Sequence, residues 1–453
     1  MKAFQDNSFV FDSYTFDPDS GEAVFRYKID ETVFDETLVF PVADMVQVND
    51  EDLDRALFNL HLVTGLSYWK MLCPKNIIIN SGKLTRTQAH FWNMIYTKGL
   101  GEFYYKNDID YRDQVHFPYD ASLSEPEITG SDELTGEVMT PIGGGKDSIV
   151  TAELLKKQGI QPSLFAVQDA ESIRLTSEEI GGDRLIVSRK ISPTLIEWNK
   201  DANREVFNGH VPISAIWSFI SVVTATLHEK SDVIFSWESS ASEGNLVYLG
   251  EEINHQWSKS IEFERALQQY LGSYVTKSVR VFSILRPLSE FHIIKLFAKL
   301  PQYFPIFSSC NRNFTQAAIV SGKKTYWCGD CAKCAFIFVL LSAWLEHDEV
   351  VKIVGHDMFE DETQIELFKE LLGCSGNKPF ECVGEASEVA AAFELAYRRG
   401  DANETVAMQM FVGEVRDTLG SMEDRDKIIS DLLVVSRDNA IPKDYRTNLE
   451  YEL

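Results

Sequence analysis

From residue 1 to about 45, apolar and polar positions alternate in short runs: "SFVFDSYTF", then "AVFRYKI", then "TLVFPV". A period of two marks strands with one buried face, and "DPDSGE" between the first two runs supplies a hairpin turn over Pro18 to Gly21. From Asp50 the period lengthens. "EDLDRALFNLHLVTGLSYWKML" carries its apolar residues at helical spacing, "KNIIINS" reads as a buried strand, and "TRTQAHFWNMIYTKGLGEFYY" reads as a second helix. These form an α+β unit ending near residue 120. The polar stretch 122–137, rich in Ser, Glu and Gly, reads as a linker.

Beyond it, strand-like and helix-like runs alternate to about residue 300. "EVMTPIG", "PSLFAVQ", "DRLIVSR" and "DVIFSWE" are strands, with helices at 148–158 and in "VPISAIWSFISVVTATLHE". Such alternation predicts a parallel sheet with helices on both faces, which binds ligands at the carboxyl ends of its strands. "CAFIFVLLSAWL", from Cys334, is too short to span a bilayer and reads as a buried helix. After about 345 the pattern is helical ("ETQIELFKELLG", "ASEVAAAFELAYRRG", "DKIISDLLVVS"). The chain thus divides into an N-terminal α+β domain with its linker (1–135), a central parallel-sheet α/β domain (136–345) and a C-terminal helical region (346–453).

Composition narrows the chemistry. A net charge of −26 over 453 residues, without a dense basic patch, disfavours nucleic acid as a partner. The N-terminus "MKAFQDNSFV" lacks the apolar core of an export signal, and no membrane span is expected. Seven cysteines, three of them within seven residues, suit a reducing cytoplasm and a metal site better than a disulfide framework.

One loop stands out. In "TPIGGGKDSIV", residues 140–150, Gly143, Gly144 and Gly145 follow a strand and lead into a helix near Asp147 and Ser148. Glycines let backbone N–H groups approach a phosphate, and the helix N-terminus adds donors and partial positive charge. The spacing fits neither GxxxxGK[ST] nor GxGxxG. It resembles the SGGxDS loop of the PP-loop ATP pyrophosphatases, with Gly143 in place of the first Ser. That resemblance implies ATP cleaved between its α- and β-phosphates, with Gly144, Gly145, Asp147 and Ser148 around the pyrophosphate and magnesium neutralising its charge. Lys146 would offset the missing hydroxyl.

Cys328, Cys331 and Cys334 form CxxCxxC, and Cys310 lies 18 residues upstream. Four thiolates from two short loops can surround a structural zinc; an iron–sulfur cluster or free thiols are the alternatives. The stretch "RPLSEFHIIKLFAKLPQYFPIFSSC" with "CGDCAKC" also resembles the end of the PP-loop domain in 7-cyano-7-deazaguanine synthases.

Further segments are more particular: "LFNLHLVTGLSYWK" (57–70), "NGHVPIS" (208–214), "SWESSASEGN" (236–245), "INHQWSKSIEFE" (253–264) and "KPFECVGEASE" (378–388). With the loop and the cysteines, in this order, the chain resembles the UDP-N-acetylmuramoyl-L-alanyl-L-glutamate epimerase (MurL) family to about residue 395. The resemblance implies a central domain of PP-loop (adenine nucleotide alpha hydrolase-like) fold. It also implies inversion of the terminal L-Glu of a UDP-sugar dipeptide through an acyl adenylate, with AMP and pyrophosphate released. Other PP-loop adenylating enzymes, an ATP-binding sensor and a zinc-stapled interaction protein are the rival readings.

Within those segments His255 is a candidate proton carrier and Cys382 a second one. Glu238, taken to end the strand "DVIFSWE", suits a magnesium or ribose contact. Lys259 would clamp a phosphate or carboxylate, and His210 a phosphate. An anionic UDP-sugar peptide needs cations in its cleft, for which Arg174, Arg189, Lys190, Lys259 and Arg286 are available.

Overall fold

The computed structural model describes all residues except 126–127, 129–133, 315–325 and 448. Much of the expected linker 122–137 therefore lies outside the described residues. Three strands, β1 (Gln5–Asp17), β2 (Glu22–Ile29) and β3 (Thr32–Val39), form an antiparallel meander. Its turn spans Pro18 to Gly21, as the alternation predicts. Ala23, Phe25, Tyr27 and Ile29 of β2 all face the core. β4 (Pro74–Ile79) adds to β1 in parallel.

Two helical runs are each broken at a glycine. Asp50–Thr64 is followed by Leu66–Trp69, and Arg86–Lys98 by Gly101–Asn107. At Gly65 a Cβ would lie 2.4 Å from the Phe11 ring, so the helix can cross β1 this closely only without a side chain.

The parallel strands are β5 (Val138–Pro141), β6 (Ser163–Val167), β7 (Arg184–Lys190), β8 (Asp232–Phe235) and β11 (Arg280–Ser283). A small hairpin, β9 (Leu246–Tyr248) with β10 (Glu251–Ile253), stands apart. β7 pairs antiparallel with β3, so meander and parallel strands form one nine-stranded sheet, β11-β8-β5-β6-β7-β3-β2-β1-β4. Alternation splits the apolar side chains between two cores. Met139, Phe165, Val233 and Phe235 point into one with the helices Asp50–Thr64, Ile213–Leu227 and Ile261–Tyr274. Val138, Leu164 and Ile234 point into the other with Lys146–Lys157, Glu290–Phe297, Ala332–Ser342 and Ala386–Arg399. The chain is a mixed α/β protein around a large, mostly parallel sheet.

The run that begins at Cys334 belongs to the helix Ala332–Ser342, every residue of which is buried. Among the described residues no helix is long and apolar enough to cross a membrane.

The strand order reverses between β5 and β8: from β5 the chain goes to β6 and β7 on one side, then returns to β8 and β11 on the other. Such a reversal opens a crevice at the carboxyl ends of the strands. The glycine loop follows β5 and "SWESSASEGN" follows β8, so both border that crevice.

Candidate active site

The loop geometry follows from its glycines. Gly144 has φ +74°, and a Cβ there would lie 2.8 Å from Ser172 Oγ and 2.9 Å from the Ser172 carbonyl carbon, which excludes any other residue. The helix Lys146–Lys157 starts at Gly145, a cap with no side chain to occupy the first-turn N–H groups. Ser148 Oγ accepts from Gly143 N–H at 3.4 Å and donates to the Gly145 carbonyl at 3.1 Å, closing the loop on itself. The Ser308 N–H donates to the Gly144 carbonyl at 2.9 Å, which ties the loop to the segment leading into Cys310.

Lys146 differs from expectation. Its side chain is fully buried and ion-paired with Asp147 and Glu290, so it does not stand in for a hydroxyl at position 143. Burial disfavours its charge, but the two carboxylates outweigh that and keep it protonated. Glu290 also lies 3.4 Å from Lys333 Nζ; burial raises its carboxyl, but Lys146 and Lys333 outweigh burial and lower it to about 2.

Glu238 is three residues beyond the end of β8, in a buried turn, and not on the strand itself. Burial and the neighbouring Glu290 raise its carboxyl to about 7, against the opposing pull of Lys259.

The most concentrated chemistry lies where three distant segments meet. Glu102, on the short helix Gly101–Asn107, places Oε2 2.5 Å from His255 Nδ1 and 3.2 Å from His210 Nδ1. The other imidazole nitrogen of His255, Nε2, lies 3.9 Å from Cys382 Sγ, and Lys259 Nζ lies 3.4 Å from the same sulfur. The carboxylate contacts are hydrogen-bond distances, and the ligand-type atoms of Glu102, His210 and His255 also all lie within 4.8 Å of one another.

The electrostatics follow. Burial lowers the His255 imidazolium, but Cys382 and Glu102 outweigh burial and raise it to about 9. Burial raises the Cys382 thiol, but Lys259 and His255 outweigh it and bring it down to about 6. His210 goes the other way: burial and the positive His255 keep it neutral. His210 thus belongs with Glu102 and His255, not with the glycine loop.

Two amides hold this cluster in register. Asn245 accepts from the His255 N–H at 2.8 Å and donates to the Pro379 carbonyl at 2.9 Å, and Gln256 donates to the Val383 carbonyl at 3.3 Å. Glu388 accepts from Ser240 Oγ at 2.9 Å and from the Phe291 N–H at 3.2 Å, pinning the segment that carries Cys382 to the turn after β8. Lys259 connects the cluster to the crevice. Burial opposes its charge, and Cys382, Glu238 and Asp147 together overcome burial.

Of the expected cations, two are corrected. Arg189 is ion-paired with the buried Glu36 at 2.8 Å, and Arg286 with the buried Glu264 at 2.7 Å while it also donates to the Glu238 and Lys259 carbonyls. Both neutralise internal carboxylates and are not directed at a ligand. Arg174 pairs with Glu178 at the surface, and Lys190 is exposed on β7. Lys378 is a cation that the sequence did not single out: its ammonium is buried without a hydrogen-bond partner among the described residues, and burial lowers its pKa despite Glu388 and Glu385 nearby.

The sulfurs of Cys310, Cys328, Cys331 and Cys334 all lie within 4.8 Å of one another, with pairs at 3.5 and 3.6 Å. Four sulfurs about 2.3 Å from one ion stand ~3.8 Å apart in a tetrahedron, so the set fits a single metal ion. An iron–sulfur cluster would spread its thiolates over several irons and hold them farther apart. Between two of these cysteines, Lys333 is aimed at Glu290.

Glu102 and Glu290 are the functional candidates that sequence reading missed. Glu102 sits in no recognisable motif, Glu290 lies in the stretch beginning "RPLSEF" without being singled out there, and only folding brings them to the others.

Comparison with known proteins places the chain in a family. Residues 2–284 match the family profile described as the MurL N-terminal domain, and residues 306–426 that described as the MurL C-terminal domain. The chain is 37% identical over 421 residues to a protein of a Micromonospora species, covering 92% of each chain. It is 34% identical over 452 residues to one of Xanthomonas oryzae pv. oryzae, covering 98% of this chain and 97% of the other. It is 33% identical over 418 residues to one of Salinispora tropica, covering 91% and 90%. All three carry the name UDP-N-acetyl-alpha-D-muramoyl-L-alanyl-L-glutamate epimerase. With both halves matched and relatives alike over nearly the full length, the chain belongs to the MurL epimerase family.

Proposed function

We propose that this protein is an ATP-dependent epimerase of peptidoglycan precursor synthesis, converting the terminal L-Glu of UDP-N-acetylmuramoyl-L-Ala-L-Glu to D-Glu. ATP activates the glutamate carboxylate as an acyl adenylate, pyrophosphate leaves, and AMP is released before the product is free. The observation that carries this reading is the junction at Lys259. A nucleotide-type glycine loop lies on one side of it, and a charged Cys–His–Glu cluster suited to proton transfer lies on the other.

The two halves need each other chemically. Removing an α-proton beside a carboxylate would create a dianion, which is prohibitively unfavourable. Masking the carboxylate as an acyl adenylate removes that charge and acidifies the α-carbon. The Cys382–His255–Glu102 cluster is then where the proton is exchanged, within the range where His255 changes charge. The loop 143–148 holds the phosphates by its N–H groups in a PP-loop arrangement. Asp147 and Glu238 are oxygen donors of the kind that hold magnesium, which supplies charge neutralisation at the phosphates. Lys259 and Lys378 provide positive charge for the anionic substrate in this acidic protein. The four-cysteine site takes a structural zinc: four protein ligands leave no open position for water.

The test is one incubation in D2O with ATP, Mg2+ and UDP-N-acetylmuramoyl-L-Ala-L-Glu. Expected are D-Glu carrying deuterium at its α-carbon, with AMP and pyrophosphate. AMP and pyrophosphate without deuterium would replace epimerisation by a ligase-like fate of the adenylate. Absence of both would remove the substrate assignment.

A further inference from the structure

Glu102, His255 and Cys382 are linked in sequence by contacts at 2.5 and 3.9 Å: a carboxylate on one imidazole nitrogen and a thiol on the other. That is the order of an orienting carboxylate, a base and a nucleophile. Lys259 Nζ, 3.4 Å from the sulfur, adds a cation where an acyl oxygen would come to rest. The same geometry argues against Cys382 and His255 as proton carriers on opposite faces of the α-carbon. Each carrier would stand about 3–3.5 Å from that carbon, so the pair would be roughly 6–7 Å apart. At 3.9 Å nothing fits between them.

We propose that Cys382 is a nucleophile that receives the activated glutamyl group as a thioester, and that the α-proton is exchanged on this thioester beside His255. The proposal rests on the adenylation reading above. The Cys382 thiolate attacks the acyl carbon of the adenylate. The C–S bond forms, the bond from that carbon to the phosphate oxygen breaks, and AMP leaves with the electron pair. The imidazolium, having lost its anionic partner, releases its proton to water. The α-carbon is now two bonds from the sulfur and next to Nε2, which takes the α-proton while Lys259 faces the enolate oxygen. Water delivers a proton to the other face, and His255 returns its own to solvent. A second water, activated by the neutral imidazole, attacks the thioester carbonyl. The C–S bond breaks, the thiolate is restored as His255 regains its proton, and the D-Glu carboxylate departs.

This assignment explains why a nucleophile's constellation stands beside an adenylating site. An adenylate must eventually be passed to water, and Cys–His–carboxylate sets transfer acyl groups to water.

The experiment uses the full chain with ATP, Mg2+ and the UDP-sugar dipeptide, quenched in acid within the first turnovers, digested and analysed by mass spectrometry. The expected result is the peptide holding Cys382 heavier by substrate minus water, and the adduct lost in neutral hydroxylamine. In parallel, Cys382→Ala should keep substrate-dependent exchange of labelled pyrophosphate into ATP, which also reports that it has folded, while D-Glu formation falls ~1,000-fold or more. Epimerisation by Cys382→Ala within tenfold of the native rate would overturn the thioester. So would turnover of the native chain with the Cys382 peptide unmodified at every quench time. Native chain without pyrophosphate exchange would instead remove the adenylation reading, and this one with it. Trapping on the native chain decides the matter even if Cys382→Ala does not fold.

Discussion

The molecule uses cysteine in two regions, and the contrast shows what decides a thiol's role. Around the helix Ala332–Ser342, four sulfurs lie within 4.8 Å of one another, two pairs of them at 3.5 and 3.6 Å, with Cys331 also capping that helix through its own sulfur. Among the described residues Cys382 joins no cluster of sulfurs; an imidazole and an ammonium face it. Thiolates gathered around one point need a cation between them and become ligands. A thiolate facing His255 and Lys259 is already neutralised, so its lone pair remains available for chemistry. In the reading proposed above, identical side chains thus form a staple in one place and a reactive group in the other. The two are linked, because Lys333 projects from the staple onto Glu290, which also holds Lys146 below the glycine loop.

The largest expected effect comes from breaking the staple. Cys331→Ser, or prolonged chelation, should release about one zinc per chain and lower Tm by ten degrees or more, since zinc binding at such sites is folding energy. Calorimetry with metal analysis checks this. An unchanged Tm after complete metal removal would abolish the distinction between the two cysteine regions.

Next comes Glu102→Gln. It retains the shape of the carboxylate but loses the charge that holds His255 protonated. In the native chain Cys382 ionises at about 6 and His255 loses its proton at about 9. Activity that needs thiolate and imidazolium together therefore rises through the first and falls through the second. Without Glu102 the imidazolium is weaker, so the alkaline limb should move to lower pH and kcat at the optimum should drop about 100-fold. A pH–rate profile of both proteins tests it. A uniform loss with an unmoved alkaline limb would leave Glu102 a packing role only.

The smallest effect is at Lys378. Lys378→Met should raise KM for the UDP-sugar dipeptide about tenfold and leave kcat nearly unchanged, because it removes charge attraction without touching the reacting atoms. A fall in kcat with KM unchanged would move Lys378 from substrate binding to the chemical step.

The hairpin of β1 and β2, the helices from Asp50 and Arg86 and four of the five parallel strands follow periodicities that a sequence displays directly, because each is a local consequence of which faces must be buried; β11, only four residues long, was not read. Glycine breaks at Gly65 and Gly99 were less legible: their cause lies in a distant ring or turn that a helical window does not contain. The joining of β3 to β7 was not legible either, since strand pairing across 150 residues depends on a register that neither segment carries alone. At the site, the loop at 143–148 and the four metal-type cysteines announce themselves by spacing. The arginines misled for a general reason: a basic residue reads the same whether it faces a ligand or, like Arg286, neutralises the buried Glu264.

By itself, the sequence determined the α/β pattern and the family, and it displayed the glycine loop and the CxxCxxC run, because each is encoded in short-range order. Only the tertiary structure decided that Glu102, His255, Lys259 and Cys382 meet at one point. Their charges are set by distances of a few ångströms, across segments separated by more than a hundred residues. In a buried setting those distances decide the charge that each group carries.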